Sequence, residues 1–156
     1  GLAAQSASGP GISPAALEAL LPESLPGGFS RTSAQSSIKQ SAPGAVSTYV
    51  RGSDQLELLI YDMAAMDNPR GYTVHERVLF EMEADSHKET RETTLAGHPA
   101  FEEPLDEVQQ EMLVLVSKRL VVEASSKSLE NDQLRELLLA LDWDSVAGLA
   151  SGSAAQ

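Results

Sequence analysis

A chain of 156 residues with 42% hydrophobic side chains is long enough for one domain with a core and short for two. Its net charge of -12 repels nucleic acid phosphates and anionic lipid, which leaves basic proteins and cations as partners. The absence of cysteine excludes a disulfide framework, thiolate zinc sites and thiol nucleophiles.

In chain order, residues 1–12 are small and polar and read as a disordered tether, with a single domain over 13–149 and a disordered tail over 150–156. An Ala/Ser/Gly-rich lead commonly follows a signal peptide or lipid anchor. Export to the periplasm or cell surface is therefore expected, with the cytoplasm as the second location. No apolar run approaches the roughly 18 residues of a membrane span. Ser13 before Pro14 supplies an N-cap and a first helical position, and the short helix that follows puts Leu17, Leu20 and Leu21 on one face until Pro22 stops it.

Phe29 to Ser37 and Val46 to Arg51 read as strands, separated by Pro43 and Gly44. Gly52, Ser53 and Asp54 suit a hairpin turn, after which Gln55 to Asp62 alternates Leu56, Leu58 and Ile60 against Glu57, Leu59 and Tyr61. Met63 to Tyr72, with its Asp-Asn-Pro and Arg-Gly steps, is a loop of the length that often carries function. Val74 to Glu83 fits both helical and strand spacing and is taken as helix. Glu89 to Ala96 and Pro99 to Glu103 form a hairpin across Gly97, followed by an acidic loop from Pro104 to Gln110.

The last third is the clearest. Glu111 to Val116 and Arg119 to Ala124 pair around Ser117 and Lys118. A helix capped near Asn131 then sets Leu134, Leu137, Leu138 and Leu141 at i, i+3, i+4 and i+7. Asp142 or Asp144 can cap one more turn carrying Val146 and Leu149. Met112, Val114 and Val116 face one side of the sheet and Leu113 and Leu115 the other, so both sides need cover. The expected fold is α+β, a mainly antiparallel sheet with flanking helices.

The order of motifs is informative: Leu21-Pro22, Leu25-Pro-Gly-Gly, Tyr49, the strand ending Ile60-Tyr61-Asp62, Thr93-Thr94, the run Gly97 to Glu102, Val114 to Val116 with Arg119, and a helix ending Leu141-Asp142. It resembles uncharacterised exported bacterial proteins similar in outline to the PsbP-like photosystem extrinsic-subunit α/β/α sandwich. The resemblance implies export and a fold, and it carries no catalytic residue.

Chemistry-bearing patterns are sparse. His75-Glu76 begins a zinc-protease HExxH motif, but its fifth position is Leu79. His75, His87 and His98 match no standard metal spacing and read as surface residues. His98 with Glu102 and Glu103 is the one metal candidate, although adjacent strand residues point to opposite faces. No nucleophile elbow and no Walker or Rossmann glycine pattern occurs, so neither catalytic residues nor a cofactor are expected. Trp143, the sole tryptophan, reads as a plug under the last helix, and Lys118 and Arg119 as solubilising turn charges.

Charge points to a contact surface. Glu76 to Glu111 holds eleven acids against Arg77, Lys88 and Arg91. The expected function is a non-catalytic binding or accessory module of the cell envelope. It would meet a basic protein surface through the Met63 to Tyr72 loop and this acidic tract, including Glu102, Glu103, Asp106 and Glu107. The alternative is a small-ligand or metal-binding protein built on His98 and its neighbouring carboxylates.

Overall fold

The computed structural model describes residues 12–39, 42–66, 68–86, 90–103 and 109–152. The chain runs α1 (Pro14–Glu18), β1 (Ser24–Leu25), β2 (Phe29–Lys39), β3 (Ala42–Arg51), β4 (Asp54–Asp62), a 3-10 turn (Met63–Ala65) and α2 (Val74–Ser86). It continues through β5 (Arg91–Leu95), β6 (His98–Glu102), β7 (Gln110–Val116), β8 (Leu120–Ser126), α3 (Asn131–Leu138) and α4 (Trp143–Ala150). The eight strands form one sheet in the order β1-β2-β3-β4-β8-β7-β6-β5, and every pairing in it is antiparallel.

The expected α+β sandwich of PsbP-like type is corrected by this architecture. Among the described residues 44% are strand and 27% helix, so the fold is mainly β, one large sheet carrying four short helices. Two local effects shift the balance. Strands β2 and β3 run past their expected limits, through Ser- and Gly-containing segments that cross-strand pairing keeps extended from Arg31↔Tyr49 to Lys39↔Ala42. Helix α3 stops at Leu138 rather than Leu141, because Ala140 and Leu141 donate to the carbonyls three residues back and close a tight last turn.

Turn chemistry fixes the register. Ala96 and Gly97 both have positive φ (53° and 84°), the geometry a two-residue hairpin between Leu95 and His98 requires. Ser117 and Lys118 turn β7 into β8 with φ of 54° and 55°. Gly44 serves a different need. A Cβ there would lie 2.6 Å from the Ile60 carbonyl oxygen and 2.9 Å from the Tyr61 Cβ, so β3 lies against β4 at a spacing only glycine allows. Gly44→Ala is expected to destabilise the protein by about 1–3 kcal/mol. A lower urea midpoint at unchanged slope would register the loss.

The sheet is apolar on both faces. On one, Tyr49, Leu56, Leu58, Ile60, Met112 and Val114 pack with Leu17 of α1, Leu134 and Leu138 of α3 and Val146 of α4. On the other, Tyr61, Phe101, Leu113, Leu115 and Val121 are covered by Val78 and Met82 of α2. Ile12 is buried and belongs to the first cluster, so ordered packing begins one residue inside the composition-defined tether. Its remaining residues, 1–11, and the end of the tail, 153–156, lie outside the described residues.

Side-chain chemistry sets the helix starts. Ser13 accepts from the Ala16 amide (3.2 Å) and Asp142 from the Ser145 amide (3.1 Å). At α3 the cap is Glu130, whose amide donates to the Gln133 side chain at 2.9 Å. Asn131, expected near the cap, is buried and donates through Nδ2 to the Glu103 carbonyl (2.7 Å).

Candidate contact surface on the second helix

Five of the seven aromatic side chains, Phe29, Tyr49, Tyr61, Phe101 and Trp143, are buried. Tyr72 and Phe80 are the exceptions, 36% and 49% exposed, and they touch each other edge to face with ring centroids 5.3 Å apart. This aromatic surface is left in water by a fold that buries the other five aromatic side chains; Leu139, 46% exposed just after α3, is the other large hydrophobic set out in water among the described residues.

The loop before α2 is built to hold that pair. The Asn68 side chain brackets the Tyr72 backbone: Oδ1 accepts from the Tyr72 amide (3.1 Å), and Nδ2 donates to the Tyr72 carbonyl. Between them the Gly71 amide donates to the Asn68 carbonyl (3.1 Å), with φ of +73° at Gly71, a conformation costly for other residues. Thr73 and Glu76 then form a capping box. The Glu76 amide donates to Thr73 Oγ1 (3.1 Å), and the Thr73 amide donates to Glu76 Oε1 (2.8 Å). Tyr72 is thus clamped on both sides and pre-ordered, although it sits in a surface loop.

Helical spacing sorts α2 into two faces. Val78 and Met82 reach the sheet, and the His75 ring lies against Phe101 at 4.9 Å while Nε2 meets Glu92 at 3.1 Å. Glu76, Phe80 and Glu83, at i, i+4 and i+7, share the exposed face. From residue 68 to 86, acids outnumber bases four to two. The result is an aromatic centre with carboxylates on either side along the helix.

The metal candidates are not brought together. His98 and Glu102 lie on one face of β6, four residues apart, so their backbones are separated by about 13 Å. The His98 ring contacts Trp143 at 5.7 Å. Glu102, only 5% exposed, is held instead by the Arg91 guanidinium and by Arg135 of α3, whose Nη2 is 3.7 Å from Oε2. Glu103 is buried just beyond the end of β6. Among the described residues, no three His, Asp or Glu side chains cluster as a metal would require. His87, Asp106 and Glu107 lie outside the described residues.

The contact tract expected from charge therefore changes shape. Glu102 and Glu103 are interior groups that cannot meet a partner, while Glu76, Glu83 and Glu92 remain exposed. Arg119, read as a solubilising turn charge, also proves to be structural. It makes a paired contact with fully buried Asp62, Nε to Oδ1 and Nη2 to Oδ2, both 3.0 Å. Burial alone would raise the Asp62 pKa, but hydrogen bonds from Arg119 and from the Ile12 and Ala64 amides outweigh it and hold the carboxyl below the ordinary value of 3.8. Hydrogen bonds from Ser145 likewise lower exposed Asp142, a helix cap.

Sequence reasoning misses the Tyr72 and Phe80 pairing, though it selects the loop that carries Tyr72. The available signal is the Asn68-to-Glu76 stretch, in which an Asn four residues before an aromatic meets a Thr-x-x-Glu box. No helix among the described residues is long and apolar enough to cross a membrane. No family model, curated protein or solved structure matches this chain.

Proposed function

We propose that this protein is a non-catalytic binding module of the cell envelope whose contact surface is the Asn68-to-Tyr72 loop and the outer face of α2. The observation that carries the reading is the pre-ordered, exposed pair of Tyr72 and Phe80 with Glu76 and Glu83 beside it. Aromatic side chains held in advance lose little entropy on binding and commonly supply the anchoring contacts of an interface. Flanking carboxylates select a basic partner and speed its approach, in keeping with the net charge of -12. The partner is a protein surface on which Lys or Arg frames an apolar patch. Placement in the envelope rests on the resemblance of the motif order to exported proteins.

The test is an NMR titration of isotope-labelled protein with a synthetic amphipathic Leu/Lys peptide. Shift changes are expected to centre on Tyr72, Glu76, Phe80 and Glu83 and to weaken as salt rises from about 0.15 to about 0.5 M. Changes centred elsewhere, or insensitive to salt, would refute the assignment.

A further inference from the structure

The two edges of the sheet differ. At one, β5 is five residues long and carries Arg91 and Glu92, the shortness and charge by which edge strands resist pairing. At the other, β1 covers only the start of β2, pairing Ser24 and Leu25 with Ser30 and Phe29, while the Arg31 amide donates to the Glu23 carbonyl at 3.0 Å. From Ser33 to Lys39 the outer side of β2 has no strand partner among the described residues. Within this stretch Ser33 to Ser37 bears no charge and no proline.

We infer that two copies of this chain associate through this edge, β2 against β2, antiparallel about a two-fold axis. The contact is self-complementary, because each copy offers the same alternating amide donors and carbonyl acceptors. It also closes on itself, since the charged β5 edge at the far side does not propagate the sheet.

Charge favours a second copy over other occupants of the edge. Two molecules of charge -12 repel wherever their carboxylates meet, and the longest acid-free stretch of the chain, Ser24 to Ser53, is the one that forms this edge. The cations of this stretch are partly spent internally, Arg31 on the Leu21 carbonyl (3.0 Å) and Arg51 on Asp54 (3.0 Å). The far edge, with Glu92, lies six strands away, about 29 Å at the usual strand spacing. Screening at physiological salt acts over about 8 Å. A backbone contact of seven residues is small beside a stable interface of about 1,200 Å² or more, so the association is weak and reversible, visible above about 10–100 μM.

Sedimentation equilibrium from about 5 to about 500 μM tests this. Dimer is expected to grow with concentration. The double variant Ser33→Lys/Ser36→Lys, altered at exposed positions on opposite faces of β2, should need at least about tenfold more protein while melting normally when dilute. Gln35→Lys, at a third exposed position, provides an independent check. Phe80→Ala should leave the dimer unchanged. A monomer throughout the range would overturn the inference, as would a dimer that resists all the lysine substitutions or that is lost with Phe80→Ala.

Discussion

Asp62→Ala is expected to remove about 3–5 kcal/mol of stability, a large part of the about 5–15 kcal/mol that a domain of this size holds. The carboxylate is fully buried and accepts four hydrogen bonds, two from Arg119, one from the Ile12 amide at 3.1 Å and one from the Ala64 amide at 3.0 Å. Alanine would take its paired carboxylate from the Arg119 guanidinium, itself only 19% exposed, and remove the acceptor of the Ile12 and Ala64 amides. Much of that loss is the penalty for a largely buried charge deprived of this carboxylate, not the net worth of the pair. The double variant Asp62→Leu/Arg119→Met should consequently be more stable than Asp62→Ala, as a urea-denaturation cycle can establish.

The same carboxylate makes stability depend on pH. Its folded pKa lies below the ordinary Asp value of 3.8, so its contribution is complete above that value and is lost as pH falls through 3.8 toward the folded pKa. The stability difference between the native chain and Asp62→Asn should stay level from about pH 5 to 8 and shrink in more acid solution. Arg119 remains charged throughout, its pKa raised by the hydrogen bond to Asp62.

Trp143→Ala should be nearly as costly, at about 3–5 kcal/mol. The ring is 9% exposed at the first position of α4, contacts His98 of β6, and donates through Nε1 to the Leu138 carbonyl at 2.8 Å. That carbonyl ends α3, so one side chain both caps a helix and ties the α3-α4 elbow to the sheet. Trp143→Phe keeps most of the apolar contact and leaves the carbonyl with the Leu141 amide as its donor, so it should cost only about 0.5–1.5 kcal/mol. Circular dichroism during urea titration can follow both variants without relying on the fluorophore that has been removed. A loss below about 1 kcal/mol in the alanine variant would show that the ring packs loosely.

Local signals in the sequence are strong where one short segment decides the outcome. Alternation in Gln55 to Asp62, the leucine spacing of α3, and the cap at Ser13 each fall inside a single element, and the corresponding elements begin where those patterns put them, although α1 ends at Glu18 and α3 at Leu138, each short of its expected limit. Strand content is underestimated because β2 owes its length to pairing with β3. Ala34 and the serines around it, Ser33, Ser36 and Ser37, have no strong preference for extended backbone, and their partners on β3 hold them in it. Long-range charge pairing is equally hidden. Asp62 and Arg119 are 57 positions apart, and Glu102 meets Arg135 only because α3 folds over β6. Charge counting therefore assigns Glu102, Glu103 and Arg119 to the surface. The contact surface is half legible: the loop stands out by length and turn residues, but the exposure of Phe80 depends on which face α2 turns toward Phe101 and Leu113.

The most direct measurement of the proposed function compares Phe80→Ala with the native chain in the Leu/Lys peptide titration, alongside its urea stability. Because Phe80 is half exposed, its removal should change stability by no more than about 0.5 kcal/mol. Loss of an anchoring aromatic should weaken peptide binding by about tenfold or more. Unchanged affinity in a fully folded Phe80→Ala protein would contradict the account, because the side chain set out in water would then contribute nothing to recognition.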